Sequence, residues 1–378
     1  MVLGTRPEAI KLAPVACALH ATGRDLRILH TGQHPLPDWQ RAPFPDVPLV
    51  NLDIEVDCDP FAYVGRVATA LRQRVEPPPA LVIVQGDTAS AYGGARAATL
   101  GALPLAHVEA GLRSFDRRNP WPEEDFRIAI DRASDLLFAP TALARDRLRE
   151  ERLRGDIHVT GNSGVDAVMR TMETLDPPPP NDNKRRILVT CHRREHWGAP
   201  LDRIMGAIDR LARRELALVR VIMHPNPAVQ ARWRACLADR PGVTLDEPLS
   251  YRDMLVAMRD TDLILSDSGG MQEEAPYLGT PLFILRATTE RPEGIRTGQL
   301  KLIGTDADTI VTEVENFFRR RWMRARMRRR ARPYGNGKTG ERIAAIVGDW
   351  LDRRARVGSA ANDGGVQPFP KPSGTVFR

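Results

Sequence analysis

The sequence predicts an α/β protein made of two parallel-sheet domains that open onto one crevice. Three observations carry this prediction. Short runs rich in Val, Ile and Leu alternate with longer amphipathic stretches, the pattern left by parallel strands that helices cover on both faces. The runs fall into two series: DLRILH (25–30), ALVIVQGD (80–87), LPLAHVEAG (103–111) and DLLFAPT (135–141), then RRILVTCH (185–192), LALVRVIMH (216–224), DLILSDSGG (262–270) and TPLFILR (280–286). Between the series lies LDPPPPNDNK, residues 175–184, whose four consecutive prolines fit neither a helix nor a sheet ladder.

Each region follows in order. The 378 residues exceed one ordinary domain. Residues 1–174 form the first domain, 175–184 the hinge and 185–337 the second domain. Residues 338–358 are expected to be a final helix packing back on the first domain, and 359–378, dominated by Gly, Pro, Ala and Ser, a disordered tail. Open parallel sheets bind ligands beyond the carboxyl ends of their strands, so two such domains present their loops to a shared cleft.

Composition narrows the function. With 55 basic against 48 acidic residues the net charge is +7, which suits an anionic ligand. Much of the excess sits in Arg319–Arg332 (RRRWMRARMRRRAR), which reads as the solvated face of a helix. It has neither a groove-reading motif nor clustered stacking aromatics, so no nucleic-acid partner is expected. Cys17, Cys58, Cys191 and Cys236 are widely spaced and form no CxxC, which excludes a disulfide framework or a zinc ribbon and points to a reducing compartment. No leader pattern opens the sequence and no run of about eighteen apolar residues occurs, so a cytoplasmic protein without a membrane partner is expected. Two patterns are set aside. GNGKTG at 335–340 follows an Arg-rich helix instead of a strand, and HRREH at 192–196 leaves a strand directly, where the corresponding zinc motif needs a helix.

Three groups of residues carry chemistry. In GTRPEAIKLAP (4–14) a strand turns through Gly4 into a helix, and Arg6 and Lys11 add two cations to the free amides at its start, which suits an anion. In DLILSDSGGMQEEAPYLG (262–279) a strand ends in Ser266, Asp267 and Ser268 and a helix starts at once, where the Ser268 hydroxyl and the Gly269 and Gly270 amides can cradle phosphate. Glu274, a turn further on beside Glu273, is placed to accept hydrogen bonds from a ribose diol. In the first domain Asp87 (VQGDT), Glu109 and Arg113 (HVEAGLR), and Glu123, Glu124 and Arg127 (PWPEEDFR) form an acidic group inside a basic chain. Burial and mutual repulsion divide acid and base roles among such carboxyls. His192 and His224 leave second-domain strands toward the same cleft.

In this order GTRPEAIKLAP, TGQH, GDT, HVEAGLR, PWPEE, HRRE, HPNP, DSGG-x-QEEAP, TTERPE and PYG-x-G make residues 1 to about 350 resemble the non-hydrolysing UDP-N-acetylglucosamine 2-epimerases. The resemblance implies a GT-B fold of two Rossmann-like domains, usually a homodimer, that interconverts UDP-N-acetylglucosamine and UDP-N-acetylmannosamine without metal or other cofactor. In such enzymes a base removes the proton of the acetamido-bearing carbon as UDP departs, and UDP returns to the glycal with that carbon inverted. By resemblance Asp87, Glu109, Glu123 and His192 are catalytic, and Arg6, Lys11, Met254, Ser268, Gly269, Gly270, Glu274 and Arg291 bind UDP. Arg127, Arg193 and His224 stand in the cleft, and Gln33 belongs to an allosteric substrate site. Several residues depart from the family pattern: Leu36 replaces a glutamine of that allosteric site, Met254 an aromatic beside uracil, Cys191 a glycine, His196 an asparagine and Phe126 an asparagine. The first strand is also shorter than the family's. Phe126 and Cys191 are expected to reshape the sugar pocket, leaving another UDP-acetamido sugar such as a diacetamido uronic acid, a hydrolysing epimerase, or a weakly active UDP-sugar binder as alternatives.

Overall fold

The structure is a computed structural model that describes residues 1–36, 44, 47–118, 120–178, 184–193 and 196–363. Most of the segment after TGQH, part of the proline-rich hinge (179–183), Arg194, Glu195 and residues 364–378 lie outside the described residues.

Every strand pairing is parallel. In the first half β1 (Val2–Leu3), β2 (Ile28–His30) and β3 (Leu49–Asn51) form one sheet in that order. A second sheet runs β4 (Val82–Gln85), β5 (Leu105–Val108), β6 (Leu136–Ala139) and β7 (Asp156–Val159). The two meet where Val2 and Val84 share one core. Here the chain proceeds outward from β1 in one direction and from β4 in the other, so a crevice opens past their carboxyl ends.

The second half repeats the arrangement. Its strands are β8 (Arg186–Thr190), β9 (Leu218–Ile222), β10 (Val243–Asp246), β11 (Leu263–Ser266), β12 (Leu282–Ile284) and β13 (Leu300–Leu302). The spatial order β10-β9-β8-β11-β12-β13 puts its switch point between β8 and β11. One sheet face packs on helices Ala199–Arg213, Pro227–Leu237 and Ala307–Arg319, the other on Tyr251–Arg259 and Gly269–Leu278.

The chain then returns to the first half. Helix Thr339–Asp363 inserts Ile343, Ala344, Val347 and Trp350 against Leu12, Val15 and Leu19 of helix Arg6–His20. Residues 359–363, expected in the tail, are helical, because Ser, Ala and Ala prolong an established helix at little cost. The glycines of GNGKTG serve this crossing: Gly335 and Gly337 take φ of +110° and +78°, and a Cβ on Gly340 would lie 2.5 Å from the Pro14 carbonyl oxygen. The arginine run is only partly helical: Arg319 ends helix Ala307–Arg319, and Arg321–Met327 form a short helix of their own.

Candidate active site

The first wall is built at the β1–β4 switch. Gly4 is required there, since a Cβ would sit 1.9 Å from Ser90 Oγ. Thr5 caps helix Arg6–His20, and Glu8 folds back so that its Oε2 accepts from the Gly4 amide (3.0 Å) and the Thr5 amide (2.7 Å), while Oε1 accepts from Thr88 Oγ1 (2.7 Å). This fixes the helix start that aims Arg6 and Lys11 at the crevice. Asp87 follows β4 through Gly86, whose φ is +71°. Glu109 follows β5 with φ +73°, a left-handed conformation held because both the Glu109 and Ala110 amides donate to the Phe138 carbonyl at 3.1 Å. Arg127, on helix Glu123–Ala133, donates from Nε to Asp87 Oδ2 at 3.1 Å and from Nη1 to Glu124 Oε2 at 2.8 Å.

The second wall stands on β8 and β11. Asp267, fully buried after β11, accepts from the His192 amide (2.9 Å), the Arg193 amide (3.1 Å) and His196 Nδ1 (2.8 Å). Both strand ends are thereby tied into one platform. Ser268 caps helix Gly269–Leu278, which carries Glu273 and Glu274.

Four ions join the walls. Lys11 Nζ reaches Glu109 at 2.7 Å and Glu273 at 2.9 Å, and Arg291 reaches Glu109 at 3.1 Å and Glu273 at 2.5 Å. Arg291 also pairs with Glu290, which faces Arg286 at 2.9 Å and Arg193 at 3.4 Å. Gln85 Nε2 donates to Glu109.

These surroundings divide the carboxyls. Burial alone would raise Glu273, but the Arg291 and Lys11 cations hold it down at about 2. Glu290 is likewise held well below the ordinary range by Arg291, Arg286 and Arg193 in spite of burial. Burial and then Asp87 repulsion raise Glu123. Burial raises Glu109 against the pull of Lys11. Burial, with Glu273 adding, raises Glu274 to about 7. His192 is lowered by burial, which favours its neutral form.

The crevice encloses about 310 Å³ between the halves, lined by Arg6, Lys11, Asp87, Glu109, Arg127, His192, Met254, Ser268, Gly270, Glu274 and Arg291 among others. Five expected residues stand off this lining. Glu123 heads helix Glu123–Ala133, near enough to Asp87 to be repelled by it, Arg193 is turned toward the Asp267 carbonyl (3.2 Å) and Glu290, and Gly269 packs under Arg291. The His224 ring stands edge-on to His192 at 6.0 Å and tilted against Trp197 at 5.2 Å between centroids. Gln33 Oε1 accepts from the Ser90 amide (3.1 Å) and hydroxyl (2.7 Å), bracing the turn around Gly4. Phe126 and Cys191, expected to reshape the sugar pocket, do not line the crevice. Phe126 is buried against Phe61 and Tyr92, and Cys191 in the second core.

Gln85, Glu290 and Tyr251, which lies against Glu274, are partners that sequence reasoning missed, and Asp267, read there only as part of a strand end, proves to be the tie between His192, Arg193 and His196. Asp267 and Gln85 had a visible signal in their strand-end positions; Glu290 and Tyr251 acquire meaning only from packing. A larger cavity of about 420 Å³ opens at the amino ends of β1, β2 and β4, but its walls hold none of the predicted site residues. Among the described residues no His, Cys, Asp and Glu group of metal-ligand size occurs.

Residues 17–348 match the family model described as UDP-N-acetylglucosamine 2-epimerase. The chain belongs to that family. The UDP-N-acetylglucosamine 2-epimerase of Bacillus subtilis is 37% identical over 352 residues, covering 90% of this chain and 92% of the relative. The crystal structure of the Neisseria meningitidis UDP-GlcNAc 2-epimerase bound to UDP-GlcNAc superposes with a TM-score of 0.85 at 32% identity, over 91% of this chain and 97% of that one. That of Methanocaldococcus jannaschii in complex with UDP-GlcNAc and UDP gives 0.79 at 33% identity, over 91% and 97%. The epimerase fold is thus of the GT-B type, with parallel sheets facing a central cleft. No helix of the described residues is long and apolar enough to cross a membrane.

Proposed function

We propose that this family member is a non-hydrolysing epimerase that interconverts UDP-N-acetylglucosamine and UDP-N-acetylmannosamine through elimination and re-addition of UDP. One observation carries the reading: carboxylates from the first half (Asp87, Glu109) and an anion-binding helix start from the second (Ser268, Gly270) line one crevice. The solved relatives bound to UDP-GlcNAc or UDP support the substrate.

The hydrogen on the acetamido-bearing carbon is weakly acidic. Its removal needs a buried carboxylate in reach and stabilisation of the departing diphosphate in the same step. The raised Glu109 and Glu123 and the adjacent Asp87 supply the acid and base groups. Arg6, Lys11, Arg291, neutral His192 and the Ser268 helix start receive the negative charge that builds as the carbon–oxygen bond breaks. Glu274 accepts hydrogen bonds from the ribose hydroxyls, and Met254 packs beside uracil. The glycal keeps the electron pair of the lost proton as its double bond until UDP adds back and a carboxylic acid protonates the opposite face. Both walls enclosing the site retain UDP between the two half-reactions.

The test is turnover of UDP-N-acetylglucosamine in deuterated water. Deuterium must enter at the acetamido-bearing carbon of both epimers, with no free N-acetylmannosamine accumulating. Free sugar released in step with UDP would make it a hydrolysing epimerase, and unlabelled product would remove the elimination step.

A further inference from the structure

We propose that the arginine run 319–332 is a docking surface for an anionic membrane. The run holds nine of the 55 basic residues against a net charge of +7, so the rest of the chain is slightly acidic. Eight of the nine, all but Arg324, are exposed. Acidic partners are few: Arg328 pairs with Asp262, and Arg319 meets Glu315 only at 4.0 Å. Arg185 extends the patch, its guanidinium 5.2 Å from the Phe318 ring.

The location is as informative as the charge. Arg328 is anchored on Asp262 ahead of β11, Arg330 lies against Gly279 ahead of β12, and Arg326 against Gly298 ahead of β13. The patch therefore covers the amino ends of the second sheet, while His192 and Ser268 stand at the carboxyl ends. A surface bound there leaves the crevice open on the far side.

Charge complementarity and one side chain choose the occupant. A second copy docked patch to patch would set nine arginines against nine. Single-stranded nucleic acid is held by several stacked aromatics, and the patch has one, Trp322. An exposed Trp, 59% accessible, on a short basic helix is instead the combination that settles among lipid headgroups, the indole at the interface and the guanidinium groups on phosphates. This revises the reading of the run as a plain solvated face with no membrane partner.

The experiment is co-sedimentation of the full chain with phosphatidylcholine vesicles and with vesicles in which one third of the lipid is phosphatidylglycerol. Binding is expected only to the anionic vesicles and is lost at about 0.5 M salt, where screening is effective beyond roughly 4 Å. Each arginine near an anionic surface is worth about fivefold in affinity, so R320Q/R321Q/R329Q/R330Q should lose about a hundredfold or more. The matching four-lysine variant should retain binding, and Trp322→Ala should weaken vesicle binding while leaving heparin retention unchanged. An unchanged thermal midpoint in each variant separates lost docking from lost folding. Failure of the wild type to sediment, undiminished binding by the four-glutamine variant, loss of binding by the four-lysine variant, or vesicle binding that Trp322→Ala leaves unchanged would each overturn the proposal.

Discussion

The ionic group between the halves makes a quantitative prediction. Lys11 and Glu109 come from the first half, Arg291 and Glu273 from the second, and their side chains are 12%, 5%, 10% and 3% exposed, too little for water to replace a lost partner. The four charges balance. Lys11→Met keeps the length of the side chain but leaves two carboxylates facing one guanidinium. Breaking one partner out of a buried pair costs about 3–5 kcal/mol. With an unfolding entropy of roughly 0.8 kcal/mol per kelvin for a chain of this size, the ligand-free protein should unfold about 4–6 °C lower. The surplus carboxylate relieves itself by binding a proton, so its folded pKa lies above its unfolded value. Stability that such a group confers is complete below the unfolded pKa and lost as pH rises through the folded one, so the deficit of Lys11→Met should shrink from about pH 8 to about pH 5.5. Adding Glu273→Gln restores neutrality, and the double variant should be more stable than the summed single losses predict by about 0.5–3 kcal/mol. Calorimetric unfolding of the wild type, both single variants and the double variant at the two pH values measures all three quantities. Strict additivity together with a pH-independent deficit would refute the reasoning.

Asp87→Asn should lower turnover by about 10²–10⁴ while UDP affinity stays within about tenfold, because Asp87 stands with Arg127 on the first wall of the crevice and the Ser268 helix start on the second; kinetics and calorimetry with UDP decide it. Burial raises the Glu8 carboxyl to about 7 in spite of its three donors, so the folded protein gains stability as pH falls from about 7 toward 4.5, by at most about 3 kcal/mol. Glu274 contributes a slope of the same sign, so Glu8→Gln should reduce the pH dependence of the melting temperature without abolishing it, and an unaltered slope would contradict the assignment. Gly4→Ala should cost about 1–3 kcal/mol, read as a melting temperature lower by about 1–4 °C, since its methyl group collides with Ser90 Oγ.

Much of this site is legible in the sequence because it is made of strand ends. A parallel strand announces itself as an apolar run, and the polar residues that follow it, SDSGG after β11 or GDT after β4, must face the crevice whatever the rest of the chain does. Residues defined by partners far away in sequence are not legible in this way. Glu290 pairs with a neighbouring Arg291 but also with Arg193, 97 positions earlier, and no local pattern distinguishes it from a surface acid. Gln33 sits in a recognisable TGQH, yet its carbonyl oxygen is spent on Ser90. Phe126 and Cys191 stand beside functional motifs in sequence while their side chains turn to the opposite face of their elements, the ordinary consequence of helix and strand periodicity.

The same geometry explains how one residue type can fill opposed roles a few ångströms apart. Glu273 touches both Lys11 and Arg291 and is held fully ionised, a fixed negative post that orients the two cations. Glu274, next along the chain, turns the other way toward Arg6 and Tyr251, and burial carries it up to about 7. Glu109 shares the cations of Glu273 but projects from a left-handed backbone on the first half, so its Arg291 contact crosses between the halves while its Lys11 contact stays within one. Burial holds its carboxyl above the ordinary range even with both cations in place, and on the proposed function a diphosphate that drew Lys11 and Arg291 to itself would raise it further. On that reading ligand binding on one wall and proton affinity on the other are coupled through these two side chains.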